Sequence, residues 1–242
     1  QIHVDGVRLL SPYDPPEVWG VGVTYQRTAR LHEDDLQARG VSWRGLYDYV
    51  YSSRRPEIFF KGLRHHAVGP HGEIGIRRDS AGTIVEAELG CVFDRKGNIV
   101  AYTAVNDVTA WDIERENPLF LSYAKIFRGS CAFGPVLVPA CAIPNPRDLT
   151  VECRIERDGL EVFSDRGHTS HLRRSMGELS QYLFQDNLVA DGALLATGTA
   201  VGVPNDFALE HGDVVTIAIE RIGTLVNRAV RLSVARHPMA AI

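Results

Sequence analysis

Ile84-Val85-Glu86-Ala87-Glu88-Leu89-Gly90-Cys91-Val92-Phe93 sets two acidic side chains into an otherwise apolar run. A short apolar run of this kind predicts a strand, in which successive side chains alternate between faces. Glu86 and Glu88 then point one way, and Val85, Ala87 and Leu89 the other. Two neighbouring carboxylates on an apolar strand repel, and burial worsens the repulsion unless a cation or a proton compensates. A divalent hard cation is the natural compensation. Asp107 sits at the end of the following strand, after the turn Arg95-Lys96-Gly97-Asn98, so a third carboxylate can return to the same patch. Oxygen-only ligands select Mg²⁺, Mn²⁺ or Ca²⁺ over zinc. Spacing alone also permits a solvated strand face, which is the commoner meaning of such a pair.

Outward from this stretch, short apolar and period-two runs dominate: Val18–Val23, Ile58–Phe60, Val85–Phe93, Ile99–Val105, Pro135–Val138, Leu149–Ile155, Ala193–Thr197, Val214–Ile219 and Ala229–Val234. They read as strands separated by turn chemistry such as Asn145-Pro146-Arg147-Asp148 and Glu210-His211-Gly212-Asp213. Helices do not alternate regularly with them, which disfavours a doubly wound parallel sheet. The expected class is α+β, mainly β. The clearest helix is Ser175 to Leu188, with Met176, Leu179, Tyr182 and Leu183 on one face and Ser175 with Glu178 as a capping box. A second helical region, His32 to Tyr51, is polar, broken by Gly40 and Gly45, and reads as a lid or edge subdomain rather than core, with residues 30–55 as its extent. A short helix from Thr109 to Asn117 stops at Pro118. No repeat or flexible linker interrupts the chain, so residues 1–242 are expected to form one catalytic domain.

Composition narrows the function. The 242 residues are 45% hydrophobic and 23% charged with a formal net charge of −4, which suits a packed globular protein and excludes a disordered one. Gly 22 and Pro 12 are too few for a collagen-like chain. A slightly acidic balance argues against a nucleic-acid groove or an anionic membrane surface. No apolar stretch reaches the roughly 18 residues of a membrane span, and Gln1 to Leu10 lacks the form of a signal peptide, so a cytoplasmic protein is expected. A start at Gln suggests that residues precede it. Cys91, Cys131, Cys141 and Cys153 offer neither a CxxC pair nor a zinc set and read as buried thiols.

Other motifs are weaker. Gly20-Val21-Gly22-Val23-Thr24-Tyr25 lacks the third glycine of a dinucleotide fingerprint and reads as a close-packed strand or loop. His168-Thr169-Ser170-His171 reads as a loop ahead of the Ser175 helix, Arg64-His65-His66 as a solvated turn, and Trp19, Trp43 and Trp111 as core or lid packing. Glu57 and Lys61 flank Ile58-Phe59-Phe60, and Lys125 lies among Tyr123, Ile126 and Phe127. Taken singly, such ionisable groups more often snorkel than act, although tuning remains open. Gly198-Thr199 either presents an N–H and a hydroxyl to an anion or closes a strand.

Taken together, these segments resemble the fumarylacetoacetate hydrolase superfamily. The resemblance runs from Glu17-Val18-Trp19-Gly20 to Gly223-Thr224-Leu225 and rests on the ordered set Arg55 to Lys61, Glu86 to Leu89, Asn106-Asp107-Val108-Thr109-Ala110, Lys125, Gly134-Pro135, Thr197-Gly198-Thr199 and Gly212-Asp213. It implies a mixed β-sandwich or roll with few helices that forms a homodimer or higher homo-oligomer. It also implies that Glu86, Glu88 and Asp107 bind Mg²⁺ (or Mn²⁺), which chelates a small 2-oxo acid. Hydrolytic members carry a His and a Glu, three and six residues after the tyrosine matching Tyr25, as a water-activating dyad; here those positions are Thr28 and Leu31. The segments Glu17 to Gly20, Arg54 to Glu57, Ile113 to Leu119 and Cys131 to Pro135 look instead like the branch that dehydrates 2-keto-3-deoxy-arabinonate. In one departure, Trp111 stands where the family has Arg. The resemblance implies a Mg²⁺-dependent dehydratase of a 2-keto-3-deoxy sugar acid, with Lys125 and Glu57 catalytic and Thr199, Gly198 and Lys61 at the substrate. An acylpyruvate-type C–C hydrolase, an oxaloacetate decarboxylase and, on account of Trp111, a catalytically silent binding member are the alternatives.

Overall fold

The computed structural model describes residues 9–40 and 43–233. In chain order they form β1 (Glu17–Gly22), α1 (Gln26–Arg39), α2 (Leu46–Ser52), β2 (Glu57–Leu63), β3 (Ala67–Val68), β4 (Glu73–Ile76), β5 (Thr83–Ile84), β6 (Ala87–Phe93), β7 (Ile99–Asp107), β8 (Thr109–Ala110), α3 (Trp111–Glu116), α4 (Leu121–Lys125), β9 (Cys131–Pro139), β10 (Thr150–Arg157), β11 (Leu160–His168), α5 (Met176–Phe184), β12 (Ala193–Thr199), β13 (Val214–Ile219) and β14 (Gly223–Arg231). A seven-stranded sheet runs β2-β1-β12-β6-β7-β9-β3, a five-stranded sheet β11-β10-β13-β14-β4, and β5 pairs with β8. Most neighbours are antiparallel; β1 with β12, β3 with β9 and β4 with β14 are parallel. The mainly β, α+β class expected from the turn spacing is the one observed.

The two larger sheets meet where β13 and β14 pack on β7 and β9. Leu89, Cys91, Phe93, Tyr102, Val151, Ile155, Ile217 and Leu225 fill the space between them and are nearly inaccessible. β6 is buried along its whole length, which is why its sequence is apolar almost without interruption.

Several element boundaries differ from the sequence reading. Val85 and Glu86 lie outside the ladder: the apolar run divides into β5 and β6, and the Glu86 carbonyl instead accepts the Asp107 N–H at 3.0 Å. β14 begins six residues before Ala229, because Asn227 occupies a core-facing position and masks the apolar alternation; its amide donates to the carbonyls of Gly69 and Gly72. Val234, the expected end of that strand, lies outside the described residues. β11 escaped detection because it is an edge strand with no fully buried residue, its Leu160 and Val162 being exposed, although Asp158-Gly159, both at positive φ, is the signature of the two-residue hairpin that precedes it.

α5 ends at Phe184, four residues short of expectation, and Leu188 is exposed. Ser175 Oγ accepts the Glu178 N–H as foreseen, but the Glu178 carboxylate turns to Arg174. α1 starts six residues before His32, ends at Gly40 in the left-handed conformation, and α2 begins after Gly45, also left-handed. Far from lying outside the core, α1 and α2 contribute Ala29, Leu36 and Tyr47 to it. Val41 and Ser42, between them, are outside the described residues. Of the four thiols, Cys141 is exposed and the other three are buried. No helix among the described residues is long and apolar enough to cross a membrane.

Candidate active site

Glu86, Glu88 and Asp107 come together where β6 begins and β7 ends. One carboxylate oxygen from each lies within 4.8 Å of the other two. β6 supplies Glu88 directly, while Glu86 approaches from the residue before the ladder, so the pair converges without the strict strand alternation that the sequence suggested. Glu88 and Asp107 are almost completely buried. Burial first, then the charges of Asp107 and Glu86, push the Glu88 carboxyl well above the ordinary range, while Lys125 and the Gly198 N–H pull the other way.

Two buried lysines answer this negative charge. Lys125, the last residue of α4, donates to Glu86 Oε1 at 2.8 Å, Thr109 Oγ1 at 2.7 Å and Asp107 Oδ2 at 3.3 Å. Burial alone would lower its pKa, but Asp107, Glu86 and Glu114 outweigh burial and hold it well above the ordinary lysine value. Lys61 is 0% exposed and uses its donors on Val108 O at 2.8 Å, Lys125 O at 2.6 Å and Asp107 Oδ1 at 2.5 Å. Neither lysine snorkels. Lys61, expected at the substrate, is instead committed beneath Asp107, where burial lowers its pKa against the pull of Asp107.

Two glycines shape the surrounding walls. Gly198 takes φ +96° at a register shift in β12, so its N–H reaches Glu88 Oε2 at 2.6 Å; a Cβ there would meet Thr24 Oγ1 at 1.8 Å. Gly22 leaves room for Glu57, whose carboxylate oxygen would lie 2.2 Å from a Cβ at that position. The Gly20–Tyr25 segment is therefore strand and close approach, as expected, with no nucleotide loop. Thr199 lines the cleft, and its hydroxyl bonds to Ala87 O and Val201 O.

The resulting cleft has a volume of about 40 Å³ and is bordered by Glu57, Glu86, Lys125, Gly198 and Thr199 together with His32, Tyr47 and Glu114. Burial pushes the Glu57 carboxyl up, Lys125 pulls it down and Glu86 adds to the rise. Oxygen-only, strongly repelling carboxylates held apart from water fit a hard divalent cation: such an ion would relieve the charge that two lysines leave unbalanced.

Residues 17–230 match the family model described as fumarylacetoacetate (FAA) hydrolase C-terminal. The chain belongs to the fumarylacetoacetate hydrolase family. It is 42% identical over 226 residues to 2-dehydro-3-deoxy-D-arabinonate dehydratase of Saccharolobus solfataricus, covering 93% of this chain and 75% of that protein. It is 41% identical to a probable 2-keto-3-deoxyxylonate dehydratase of Haloferax volcanii, covering 89% and 73%. Among solved structures, 2-keto-3-deoxy-D-arabinonate dehydratase complexed with magnesium and 2,5-dioxopentanoate superposes with a TM-score of 0.85 at 40% identity, covering 95% of this chain and 78% of that one.

Within this fumarylacetoacetate hydrolase fold, the sequence reading missed Glu114 and His32 as cleft residues and Thr109 as the buried partner of Glu86 and Lys125. Glu114 stood in a segment quoted only for its resemblance. Its carboxyl is pushed up to about 8, chiefly by burial, with Lys125 opposing and Glu86, Glu57 and Asp107 adding. His32 is held down at about 3 by burial and by Lys125, with Asn205 opposing, and its ring lies 4.2 Å from that of Trp111. Thr109 Oγ1 donates to Glu86 Oε1 at 2.8 Å, which only the pairing of β8 with β5 brings about.

Proposed function

We propose that the chain is a Mg²⁺-dependent dehydratase of a 2-keto-3-deoxy pentonate, yielding a 2-oxo acid semialdehyde in the cytoplasm. The observation that carries this reading is the convergence of Glu86, Glu88 and Asp107 on Lys125, with Glu57 across the same cleft. The dehydratase relatives, one of them solved with magnesium and 2,5-dioxopentanoate, support it. Mn²⁺ would serve in the same ligand set.

Glu86, Glu88 and Asp107 would hold the ion. When bound, it supplies positive charge to the carboxylate and 2-oxo oxygens and so acidifies C3. Lys125, kept protonated by its carboxylate neighbours, holds the negative charge that develops on the C2 oxygen; it takes up the C3 proton only once a cation held by Glu86, Glu88 and Asp107 offsets their pull. Glu57, whose raised pKa suits a donor, gives a proton to the C4 hydroxyl as it leaves as water. The C3–H and C4–O bonds break, and a C3=C4 double bond forms. A proton then shifts from C5 to C3, and the enol becomes the semialdehyde, with no net oxidation. Gly198 and Thr199 border the substrate carboxylate, and Lys61 fixes Asp107 and the Lys125 backbone from beneath.

The neighbourhood of α1 favours elimination over hydrolysis. Thr28 donates its hydroxyl to Tyr25 O and Thr199 O, so no base stands at that position to activate water. We take α1 and α2, which supply Thr28, His32 and Tyr47 to the cleft wall, to open for the substrate and close to exclude water. We further take the working unit to be a homodimer or a higher homo-oligomer.

Incubation with Mg²⁺ and either 2-keto-3-deoxy pentonates or acylpyruvates tests the reaction. Semialdehyde release is the expected outcome. Turnover of acylpyruvate alone into two acids would replace the dehydratase with a C–C hydrolase, and turnover of oxaloacetate alone would point to a decarboxylase.

A further inference from the structure

Glu114 has no task among the metal ligands, yet it is one of the least satisfied groups in the cleft. Its side chain is 14% exposed, and Oε2 is buried without a hydrogen-bond partner. The nearest donor, Lys125 Nζ, lies 3.9 Å away and is already engaged at 2.8 Å by Glu86 and 2.7 Å by Thr109. A buried carboxyl oxygen left in this state is costly, and the deficit is removed by a ligand that brings a hydroxyl.

The surroundings of Glu114 describe that ligand further. The His32 ring lies 4.2 Å from that of Trp111 at a tilt of 41°, and Tyr47 lies 5.2 Å from His32, which gives the wall an aromatic character. Among the described residues bordering the cleft, Lys125 is the single lysine or arginine, and His32 is held neutral by burial. A second carboxylate on the ligand would find no cation of its own there and would face Glu57 and Glu114.

We propose that Glu114 is the residue that selects the substrate's tail, accepting or sharing a proton with a hydroxyl on the carbons beyond C3, so that the site takes hydroxylated monocarboxylic 2-oxo acids in preference to plain-chain or dicarboxylic ones. This rests on the 2-oxo acid reading of the metal site. It adds a specificity residue that lies one lysine away from the ligand set, and it makes discrimination a matter of completing a buried hydrogen bond. A site built to bond a hydroxyl penalises the analogue that lacks it, because its own polar atom is then left unpaired.

The test uses ligands that cannot lose a C4 hydroxyl, so that binding is read apart from turnover. Calorimetry on the Mg²⁺-loaded protein compares pyruvate, 2-oxopentanoate, 5-hydroxy-2-oxopentanoate and 2-oxoglutarate. The wild type should prefer 5-hydroxy-2-oxopentanoate to 2-oxopentanoate by about tenfold, the worth of one hydrogen bond. Glu114→Ala should bring that ratio to within about twofold, and 5-hydroxy-2-oxopentanoate should weaken about tenfold more than pyruvate does, so that any change at Lys125 shared by all the ligands cancels. Glu114→Gln, which keeps a hydrogen-bonding oxygen in the same volume, should restore the preference. The proposal is overturned by a wild type with no such preference, by tighter binding of 2-oxoglutarate, by equal weakening of pyruvate in Glu114→Ala, or by a Gln variant no better than Ala. If the wild type with Mg²⁺ does not bind even pyruvate, the metal reading fails and this inference with it; pyruvate binding with an unaltered ratio sinks this inference alone.

Discussion

Lys125 holds its charge at 3% exposure only because Glu86, Asp107 and Glu114 surround it, and the reverse dependence makes the carboxylates testable. Replacing Glu86 or Glu88 with Gln removes a ligand charge and relieves repulsion at the same time. Metal-dependent turnover should fall by at least about a hundredfold, while the metal-free variant melts no lower than wild type. Wild-type turnover in either variant would break the proposed triad. His32 offers a second test, through pH. Its pKa is about 3 in the folded protein and near 6.5 in an unfolded chain, so below about pH 6.5 the unfolded state binds the extra proton and stability falls on acidification towards pH 3. His32→Phe keeps a ring against Trp111 and removes the titration. At pH 4 it should spare about 3 kcal/mol of the acid loss, read from urea midpoints at pH 7 and pH 4. An identical pH dependence in the two proteins would show that His32 is not held neutral.

At the scale of elements, α1 and α2 act as one piece because Glu33 joins them. Its carboxylate is 2% exposed and accepts the backbone N–H groups of Gly45 and, at 3.3 Å, Tyr47. These are N–H groups at the start of α2 that no helical carbonyl can satisfy. Glu33→Ala should cost about 2 kcal/mol in unfolding free energy and accelerate hydrogen exchange in α2 beyond that in β6 and β7. If the pair closes over a ligand, Mg²⁺ with pyruvate should slow exchange in both helices of the wild type. Full protection before ligand is added would mark a permanently docked pair, in keeping with the burial of Leu36 and Tyr47. The sequence showed the glycine breaks and the polar surface of this region, but not which few apolar residues anchor it.

For the whole molecule, the three carboxylates tie metal binding to stability. An unfolded chain does not gather Glu86, Glu88 and Asp107, so Mg²⁺ binds the folded state and should raise the unfolding free energy with the logarithm of its concentration, by about 2.7 kcal/mol at a hundred times its dissociation constant, and the melting temperature with it. EDTA should reverse the shift and abolish turnover, and Mg²⁺ or Mn²⁺ should restore activity better than Zn²⁺. Rescue by zinc alone would reject an oxygen-only hard-metal site.

The sequence by itself determined the mainly β class and most strand positions, because apolar period and turn residues are local properties; the paired glutamates stood out against an apolar run, but their spacing alone left a solvated face open and only the family resemblance named the triad. Matched motifs also carried the family. It could not show that Glu86 sits outside the ladder, since a strand that breaks at Val85 and one that continues have the same apolar pattern. It did not reveal the edge strand β11, whose stability comes from pairing with β10 rather than from fully buried side chains. Nor could it show that Lys61 and Lys125 are buried, because whether a lysine snorkels depends on where distant carboxylates lie. Glu114, seven residues beyond Asp107, and His32, on another helix altogether, become cleft neighbours only when α1, α3 and α4 fold over the ends of β6 and β7. Burial, charge compensation and the unsatisfied carboxyl of Glu114 are long-range quantities, so tertiary structure alone decided them.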